Sequence, residues 1–173
     1  KNLIIIPARK GSKRLKNKNF LKLNGKTLLE HTIEFAKKVN RTDSIIVSTD
    51  STKLKKISKE SGVLCPWLRP KSISSDHSTS SSVALHALKW FEKKYKISID
   101  NVVLMQPTSP FRRIKTYINC LNLLKNYPNY SIVTFQKNKK RKYKFINQNS
   151  IKLTNEECLE PNGNLYFIKS KNL

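Results

Sequence analysis

The first basic loop of the sequence has the residue types needed to bind a polyphosphate. An apolar run at residues 3–8 leads into the segment RKGSKRLKNKN. Gly11 and Ser12 let backbone N–H groups approach an anion, and Ser12 adds a hydroxyl. The spacing matches neither the Walker loop nor the dinucleotide-binding fingerprint, so a solvated basic turn stays an alternative. The cations that could neutralise a triphosphate are Arg9, Lys13, Arg14 and Lys18.

Two further loops carry isolated charged groups. Asp50 ends the segment IIVSTD, where a carboxylate could bind a metal or a ribose, but an aspartate there more often caps the next helix. We favour the cap. The loop at residues 68–82 is long and rich in serine, with Arg69 and Asp76 as its charged candidates. Long irregular loops in compact domains are usually functional, although a serine-rich helix entry would look the same.

The fourth loop, LMQPTSPFR, presents polar side chains on a backbone stiffened by two prolines. Gln106, Thr108 and Ser109 could make specific hydrogen bonds to a polar ligand. A simple proline-rich turn would leave these side chains without a role. The histidines and cysteines suggest no metal site, because their spacing fits no ligand motif.

Periodicity indicates the elements that position these loops. Short apolar runs alternate with stretches of helical spacing, which predicts an α/β fold: a mostly parallel sheet with helices on both faces. Ligands bind such sheets beyond the carboxyl ends of the strands, so the four loops should share one edge. The predicted strands are 3–8, 44–48, 63–67, 101–105, 130–135 and 164–168. The predicted helices are 27–39, 52–61, 80–96 and 114–124.

Composition sets wider bounds. The 173 residues, 38% of them hydrophobic, predict one domain over 1–173 with a polar excursion at 136–160. No apolar run is long enough for a membrane helix, and we expect a cytoplasmic protein without a membrane partner. The net charge of +24 suggests an anionic partner, but lysine is spread over every segment. Residues 137–144, KNKKRKYK, could bind nucleic acid; this is disfavoured because it leaves the other loops without a role.

Taken together, the loops resemble the acylneuraminate cytidylyltransferase family, which includes the CMP–sialic acid synthetases and relatives that activate pseudaminic, legionaminic and 3-deoxy-octulosonic acids. The matching segments are IPARKGSKRLKNKN, IIVSTD, LRP with SSDHSTSS, LMQPTSPFR and PNGNLYF, in the family's order. The resemblance implies a Rossmann-like nucleotidyltransferase domain. It also implies transfer of CMP from CTP to a 2-keto sugar acid, with release of pyrophosphate and with Mg²⁺ bridging phosphate oxygens.

The resemblance also implies roles for single residues. The CTP-binding loop would include Ala8 and Gly11. Asn19 and Arg69 would lie near the cytidine. The residues implied to hold the triphosphate are Arg9, Ser12 and Lys18, of which Arg9 and Lys18 are the catalytic candidates. The residues implied to face the sugar acid are Gln106 and Tyr166.

The sequence departs from the family's pattern at three points, which bear on the implied function. Lys16 stands where the family has a proline, and Glu160 precedes PNG where the family has an arginine. The family's Asp-x-Asp metal carboxylates have no counterpart, so the metal ligands stay unidentified. Two alternatives remain open: a truncated piece of a longer enzyme, or a catalytically impaired nucleotide-binding relative. A homodimer is implied by the resemblance, although the segment corresponding to the family's dimerisation arm is short.

Overall fold

The computed structural model describes the chain except residues 12–14, 16, 41–43, 76–77, 139–142, 148–149 and 154–157. Its helices are α1 (Leu28–Val39), α2 (Thr52–Glu60), α3 (Ser80–Tyr95) and α4 (Ile114–Asn126). Its strands are β1 (Asn2–Pro7), β2 (Lys22–Leu23), β3 (Lys26–Thr27), β4 (Ile45–Ser48), β5 (Asn101–Leu104), β6 (Ile132–Asn138), β7 (Tyr143–Asn147), β8 (Ser150–Leu153) and β9 (Cys158–Lys169).

The central sheet has five strands in the order β4-β1-β5-β9-β6. Strand β1 pairs in parallel with both β4 and β5, so that Ile4 lies between Ile45 and Val103. The three strands therefore end at the same edge, and the loops that follow them begin side by side. This confirms the predicted α/β fold and its mostly parallel sheet.

Strand β9 runs against its two neighbours, β5 and β6. The connection from β6 to β9 contains a two-stranded hairpin, β7 with β8, and no helix among its described residues. An antiparallel partner needs no helical crossover, which accounts for the reversed direction of this strand. The hairpin lies within the predicted excursion at 136–160.

The predicted strand at 63–67 is reduced to one parallel bridge between Leu64 and Ile46. Pro66 has no backbone N–H with which to extend a ladder beyond that point. Leu64 still lies beside β4, so the loop that follows begins near the ends of the other parallel strands.

Helices cover both faces of the sheet, as predicted. Alternate side chains of β1 point to opposite faces: Ile4 and Ile6 pack with α1, α2 and α4, whereas Leu3 and Ile5 pack with α3. All four side chains are fully buried. Among the described residues, no helix combines the length and apolar character that crossing a bilayer requires.

The expectation that Asp50 caps α2 is wrong. Ser51, not Asp50, caps α2, because its hydroxyl accepts a hydrogen bond from Leu54 N. The carboxylate of Asp50 instead accepts one from Lys10 N at 2.6 Å, so it ties the first loop to the end of β4. A complete capping box begins α1.

That capping box gives a stability prediction. Thr27 Oγ1 accepts from Glu30 N and donates to Glu30 Oε2, and Thr27 N donates to the same carboxylate oxygen. These bonds lower the pKa of Glu30 below 4.5. We expect Thr27→Ala to reduce the free energy of unfolding by about 1 kcal/mol at neutral pH, measured by urea denaturation. Thr52→Ala, an exposed threonine that starts α2 without capping it, is the control.

The pH dependence of this difference follows from the lowered pKa. A carboxylate with a lowered pKa in the folded state stabilises the protein above its ordinary pKa, and this contribution is lost as the pH falls through the folded value. The difference between Thr27→Ala and the unsubstituted protein should therefore shrink below about pH 4. A difference that grows on acidification would contradict this assignment.

Candidate functional site

A cavity of about 200 Å³ opens where the parallel strands end. Three of the four predicted loops contribute to it, and the start of α3 closes one side. The shared feature of its lining is polarity: it contains three cationic side chains and four serine or threonine residues from the entry to α3. The lining residues are Pro7, Arg9, Lys18, Asn19, Arg69, Ser75, Ser78, Thr79, Ser80, Val83, Gln106, Pro107 and Thr108.

A short 3-10 helix at Lys18–Phe20 sets the far side of the first loop. Asn17, immediately before it, has a left-handed backbone with φ of 55°, a conformation that asparagine tolerates. Asn19 is 97% buried, and its Nδ2 donates to Arg9 O at 2.8 Å. Its Oδ1 has no hydrogen-bond partner among the described residues. Because a buried acceptor without a partner is costly, Oδ1 is suited to receive a ligand's donor.

Arg69 is the most deeply buried cation of the cavity, with 7% of its surface exposed. Its Nε donates to Ser48 Oγ at 3.2 Å and its Nη2 donates to Ser48 O, so the guanidinium is held against the end of β4. Burial lowers the pKa of Arg69; the Asp50 carboxylate opposes this, and the nearby Arg9 adds to it. Two cations close together in a partly dry site favour an anionic ligand.

The start of α3 forms one wall of the cavity. Sequence patterns could not decide whether this serine-rich segment was a functional loop or a helix entry. Thr79 caps this helix by accepting from Ser82 N at 3.1 Å, and Ser78, Thr79 and Ser80 line the cavity. The partial positive charge of a helix N-terminus adds to that of the cationic side chains. The serine-rich entry is therefore a helix start and part of the cavity wall at once.

A smaller cavity of about 120 Å³ adjoins the first. Pro7, Ser80 and Gln106 line both cavities, and Tyr166 and Leu104 complete the second. Gln106 thus stands where the two meet. The resemblance implies that Gln106 and Tyr166 face the sugar acid. Gln106 follows β5 by two residues, and Tyr166 lies in the neighbouring strand β9, where it pairs with Leu104.

The PNG segment, residues 161–163 of β9, lies against the fourth loop, and its Gly163 approaches the Gln106 side chain closely. Its φ of +69° favours glycine, and a methyl group at this position would lie 2.9 Å from Gln106 Oε1 and 3.3 Å from Ser109 Oγ. Asn162 stabilises this segment, because its Oδ1 accepts from Asn164 N and from Thr134 Oγ1. Only a residue without a side chain allows Gln106 to keep this position.

Other predicted site residues lie elsewhere. Ala8 is fully buried in the core, and its backbone N donates to Ser48 O, so it supports the loop without lining the cavity. Gly11 is exposed and does not line the cavity. Ser12 and Asp76 lie outside the described residues, as do Lys13, Arg14, Lys16 and residues 139–142 of the basic cluster.

A metal held by the protein does not fit the described part of the site. No group of three or more histidine, cysteine, aspartate or glutamate residues comes together there. Asp50 is the carboxylate whose charge acts on Arg69, and one of its oxygens is already bonded to Lys10 N. Asp100 precedes β5, at the opposite end of that strand from Gln106. The described residues therefore do not identify the ligands of Mg²⁺, which stays a prediction from the resemblance.

The chain is similar to proteins of known activity. Residues 3–170 match the family model described as Cytidylyltransferase. The CMP-N,N'-diacetyllegionaminic acid synthase of Legionella pneumophila is 38% identical over 123 residues, which are 71% of this chain and 53% of the relative. The pseudaminic acid cytidylyltransferase of Campylobacter jejuni is 34% identical over 110 residues, 64% of this chain and 47% of the relative.

A further relative extends the range of substrates named. The N-acylneuraminate cytidylyltransferase of Escherichia coli is 37% identical over 133 residues, 77% of this chain and 30% of the relative. The chain thus spans about half or less of the length of these three curated relatives. Among solved structures, a CMP:2-keto-3-deoxy-manno-octonic acid synthetase complexed with CTP has a TM-score of 0.76 at 19% identity, covering 99% of this chain and 75% of that one. This last likeness supports the fold.

The contact between Gly163 and Gln106 can be tested by a matched pair of variants. Gly163→Ala and Gly25→Ala both place alanine at a positive φ, but a methyl group at position 25 meets open space. Both should lose about 1–2 kcal/mol of unfolding free energy from backbone strain. Gly163→Ala should lose roughly 1 kcal/mol more, because it displaces the Gln106 side chain. If urea denaturation gives the same loss of unfolding free energy for both variants, the close approach of Gly163 to Gln106 does not contribute to stability.

Proposed function

This chain belongs to the cytidylyltransferase family, and we propose that it transfers CMP from CTP to a 2-keto sugar acid of the nonulosonic type, releasing pyrophosphate. The observation that carries the proposal is the cavity at the sheet edge, which Arg9, Lys18 and Arg69 line together with Asn19, whose buried Oδ1 has no hydrogen-bond partner among the described residues. A triphosphate and a nucleobase amine together match these two features.

The cationic residues act on the triphosphate. Arg9 and Lys18 neutralise phosphate oxygens, and Ser12 adds a hydroxyl in the role that the resemblance implies. Arg69 lies near the cytidine; Ser48 holds its guanidinium in place, so little reorganisation is needed on binding. The N-terminus of α3 adds its partial positive charge on the same side.

Asn19 selects the base. Its Nδ2 is engaged by Arg9 O, which leaves Oδ1 as an acceptor for the exocyclic amine of cytosine. Uracil presents a carbonyl oxygen at that position, and two acceptors facing each other repel. Turning the amide of Asn19 to suit uracil would cost the bond to Arg9 O, so the first loop itself opposes the exchange.

Gln106 and Tyr166 bind the sugar acid in the adjoining cavity. The hydroxyl oxygen on the anomeric carbon bonds to the α-phosphorus as the bond from that phosphorus to the bridging oxygen breaks. Pyrophosphate keeps the electron pair, and the hydroxyl proton is released. No covalent enzyme intermediate is needed, so the chain acts by positioning and by charge neutralisation. Mg²⁺ is proposed to accompany the CTP phosphates, and no step assigned to this chain depends on it.

The proposal also includes a cellular location, an oligomeric state and a class of sugar acid. CTP is a cytoplasmic nucleotide, so the cytoplasm is the proposed location. A homodimer also remains part of the proposal, on the resemblance alone. The identity of the sugar acid is left open among legionaminic, pseudaminic and N-acylneuraminic acids, which the names of the relatives include.

The reaction is tested by pyrophosphate release with CTP, Mg²⁺ and each of these acids in turn. Turnover with at least one acid, together with thermal stabilisation by CTP, is the expected result. CTP binding without turnover would favour a nucleotide-binding relative without catalysis. Absence of both would reject the proposal. Tight, strongly salt-dependent RNA binding in place of CTP binding would instead favour a role for the basic cluster.

Lys18 should matter far more than a lysine outside the cavity. Lys18→Ala removes a cation of the cavity wall, whereas Lys10→Ala removes an exposed cation that lines a different depression beside α2. We expect Lys18→Ala to weaken CTP binding roughly 10- to 100-fold, measured by calorimetric titration, and Lys10→Ala to change it by less than about threefold. If both variants weaken CTP binding equally, the first loop is only a solvated basic turn and not a phosphate-binding loop.

A further inference from the structure

Arg112 is a half-buried cation that neither cavity uses. Its three nitrogens donate to three elements far apart in sequence: Nη2 to Gln106 O at 2.6 Å, Nε to Asn164 O at 3.0 Å and Nη1 to Thr32 Oγ1 at 3.3 Å. Its guanidinium carbon lies 5.9 Å from the centre of the Phe35 ring. The side chain therefore joins the fourth loop, β9 and α1 at one point.

The environment of Arg112 is that of a structural cation. Burial lowers the pKa of Arg112 to about 10, so it remains charged at neutral pH. Within the described part of the chain, no carboxylate forms an ion pair with it. Burying a charge without a carboxylate is costly and is tolerated when hydrogen bonds compensate it. The acceptors that compensate it belong to backbone carbonyls and one threonine.

We propose that Arg112 is a positioning residue that fixes Gln106 at the junction of the two cavities. It holds the backbone of Gln106 through the carbonyl oxygen, and it holds β9 against the same loop through Asn164 O, directly after the PNG segment. Gly163 of that segment lies against the Gln106 side chain. Arg112 thus controls both the backbone of Gln106 and the surface on which its amide rests.

Two further bonds join the same segments. Ser109 Oγ donates to Asn162 O at 2.8 Å, and Asn164 Nδ2 donates to Phe111 O at 3.4 Å. Arg112, Ser109 and Phe111 thus each contribute one hydrogen bond between the fourth loop and residues 162–164 of β9. The planar fork of arginine suits three acceptors in different directions, whereas a lysine ammonium on a single stem cannot reach all three.

The inference rests on the proposed function for its kinetic consequence. If Gln106 binds the sugar acid, a displaced Gln106 weakens the use of the acid and leaves the triphosphate contacts of Arg9 and Lys18 in place. A displacement of about 1 Å at a reacting site can cost on the order of 100-fold in rate. We expect Arg112→Met to lower kcat/KM for the acid roughly 10- to 100-fold and to change the Kd for CTP by less than about threefold.

A first experiment needs no catalysis. The chain has three glutamines, Gln106, Gln136 and Gln148, so the side-chain amide signals of Gln106 in a nitrogen-15 NMR spectrum are assigned by their loss in Gln106→Ala. Arg112→Met should shift or broaden these signals. The matched control, Arg113→Met, changes an exposed arginine whose side chain makes no capping bond to α4, and it should leave them in place. Unchanged Gln106 signals in folded Arg112→Met would overturn the proposal.

A second experiment separates positioning from stability. In a Gln106→Ala background, Arg112→Met should have little further effect on kcat/KM for the acid, because both changes act through the same side chain. Additive losses, or equal losses for the acid and for CTP, would mean a purely structural role and would overturn the proposal. If Arg112→Met does not fold, Arg112→Lys and Ser109→Ala weaken the same attachment more gently, and both must shift the Gln106 signals.

The two proposals fail in different ways. If the unsubstituted chain releases no pyrophosphate with any acid, the proposed function fails, and the NMR comparison of Arg112→Met with Arg113→Met still decides whether Arg112 positions Gln106. If turnover is observed and the Gln106 signals do not respond to Arg112, the function stands and the inference about Arg112 is wrong.

Discussion

The parallel pairing of β1 with both β4 and β5 is the constraint on which the rest of the structure depends. The three strands share one direction and a fixed register, so the loops after them begin within a few ångströms of one another. Residues separated by up to about a hundred positions in sequence, such as Arg9 and Gln106, reach one cavity for this reason. The apolar layers on both faces fix the register, because a slip by one residue would turn every buried side chain to the wrong face.

The electrostatics of the edge follow from the positive charges that this arrangement brings together. Arg9, Lys18 and Arg69 line one cavity, and the start of α3 adds its own positive end. Asp50, the acidic group that acts on Arg69, is bonded to the backbone of Lys10. A polyanion would neutralise these charges. The buried Oδ1 of Asn19 additionally needs a hydrogen-bond donor, which a phosphate group does not supply. In the proposed function, charge attracts the nucleotide and the Asn19 amide distinguishes one base from another.

Much of this could be predicted from the sequence. Runs such as LIIIP and SIIVS indicate buried strands because they are too short and too uniformly apolar to be anything but strands covered on both faces. The gathering of the loops at one edge followed from the alternation of strands and helices. The direction of β9 could not be predicted, because apolar spacing carries no information about whether a neighbouring strand runs parallel or antiparallel.

Other features depend on contacts between distant segments. Ser51 and Asp50 are both good helix caps by type, and only the nearby N–H of Lys10 explains why the carboxylate turns away from α2. Arg112 looked like the end of a loop motif, because two of its acceptors, Thr32 and Asn164, lie 80 and 52 residues away. Likewise, the need for glycine at position 163 becomes clear only from its close approach to the Gln106 side chain. Sequence patterns find which residues are available for chemistry, and packing decides which of them hold the others in place.

The central claim is that this cavity recognises CTP rather than any polyanion, which a chain of net charge +24 would also attract. The most direct test is calorimetric titration of the protein with CTP and with UTP at near-physiological salt, where nonspecific attraction is screened. The account predicts that CTP binds about tenfold or more tightly than UTP, since uracil leaves the buried Oδ1 of Asn19 facing an acceptor. Equal dissociation constants that weaken together as salt is raised would contradict it.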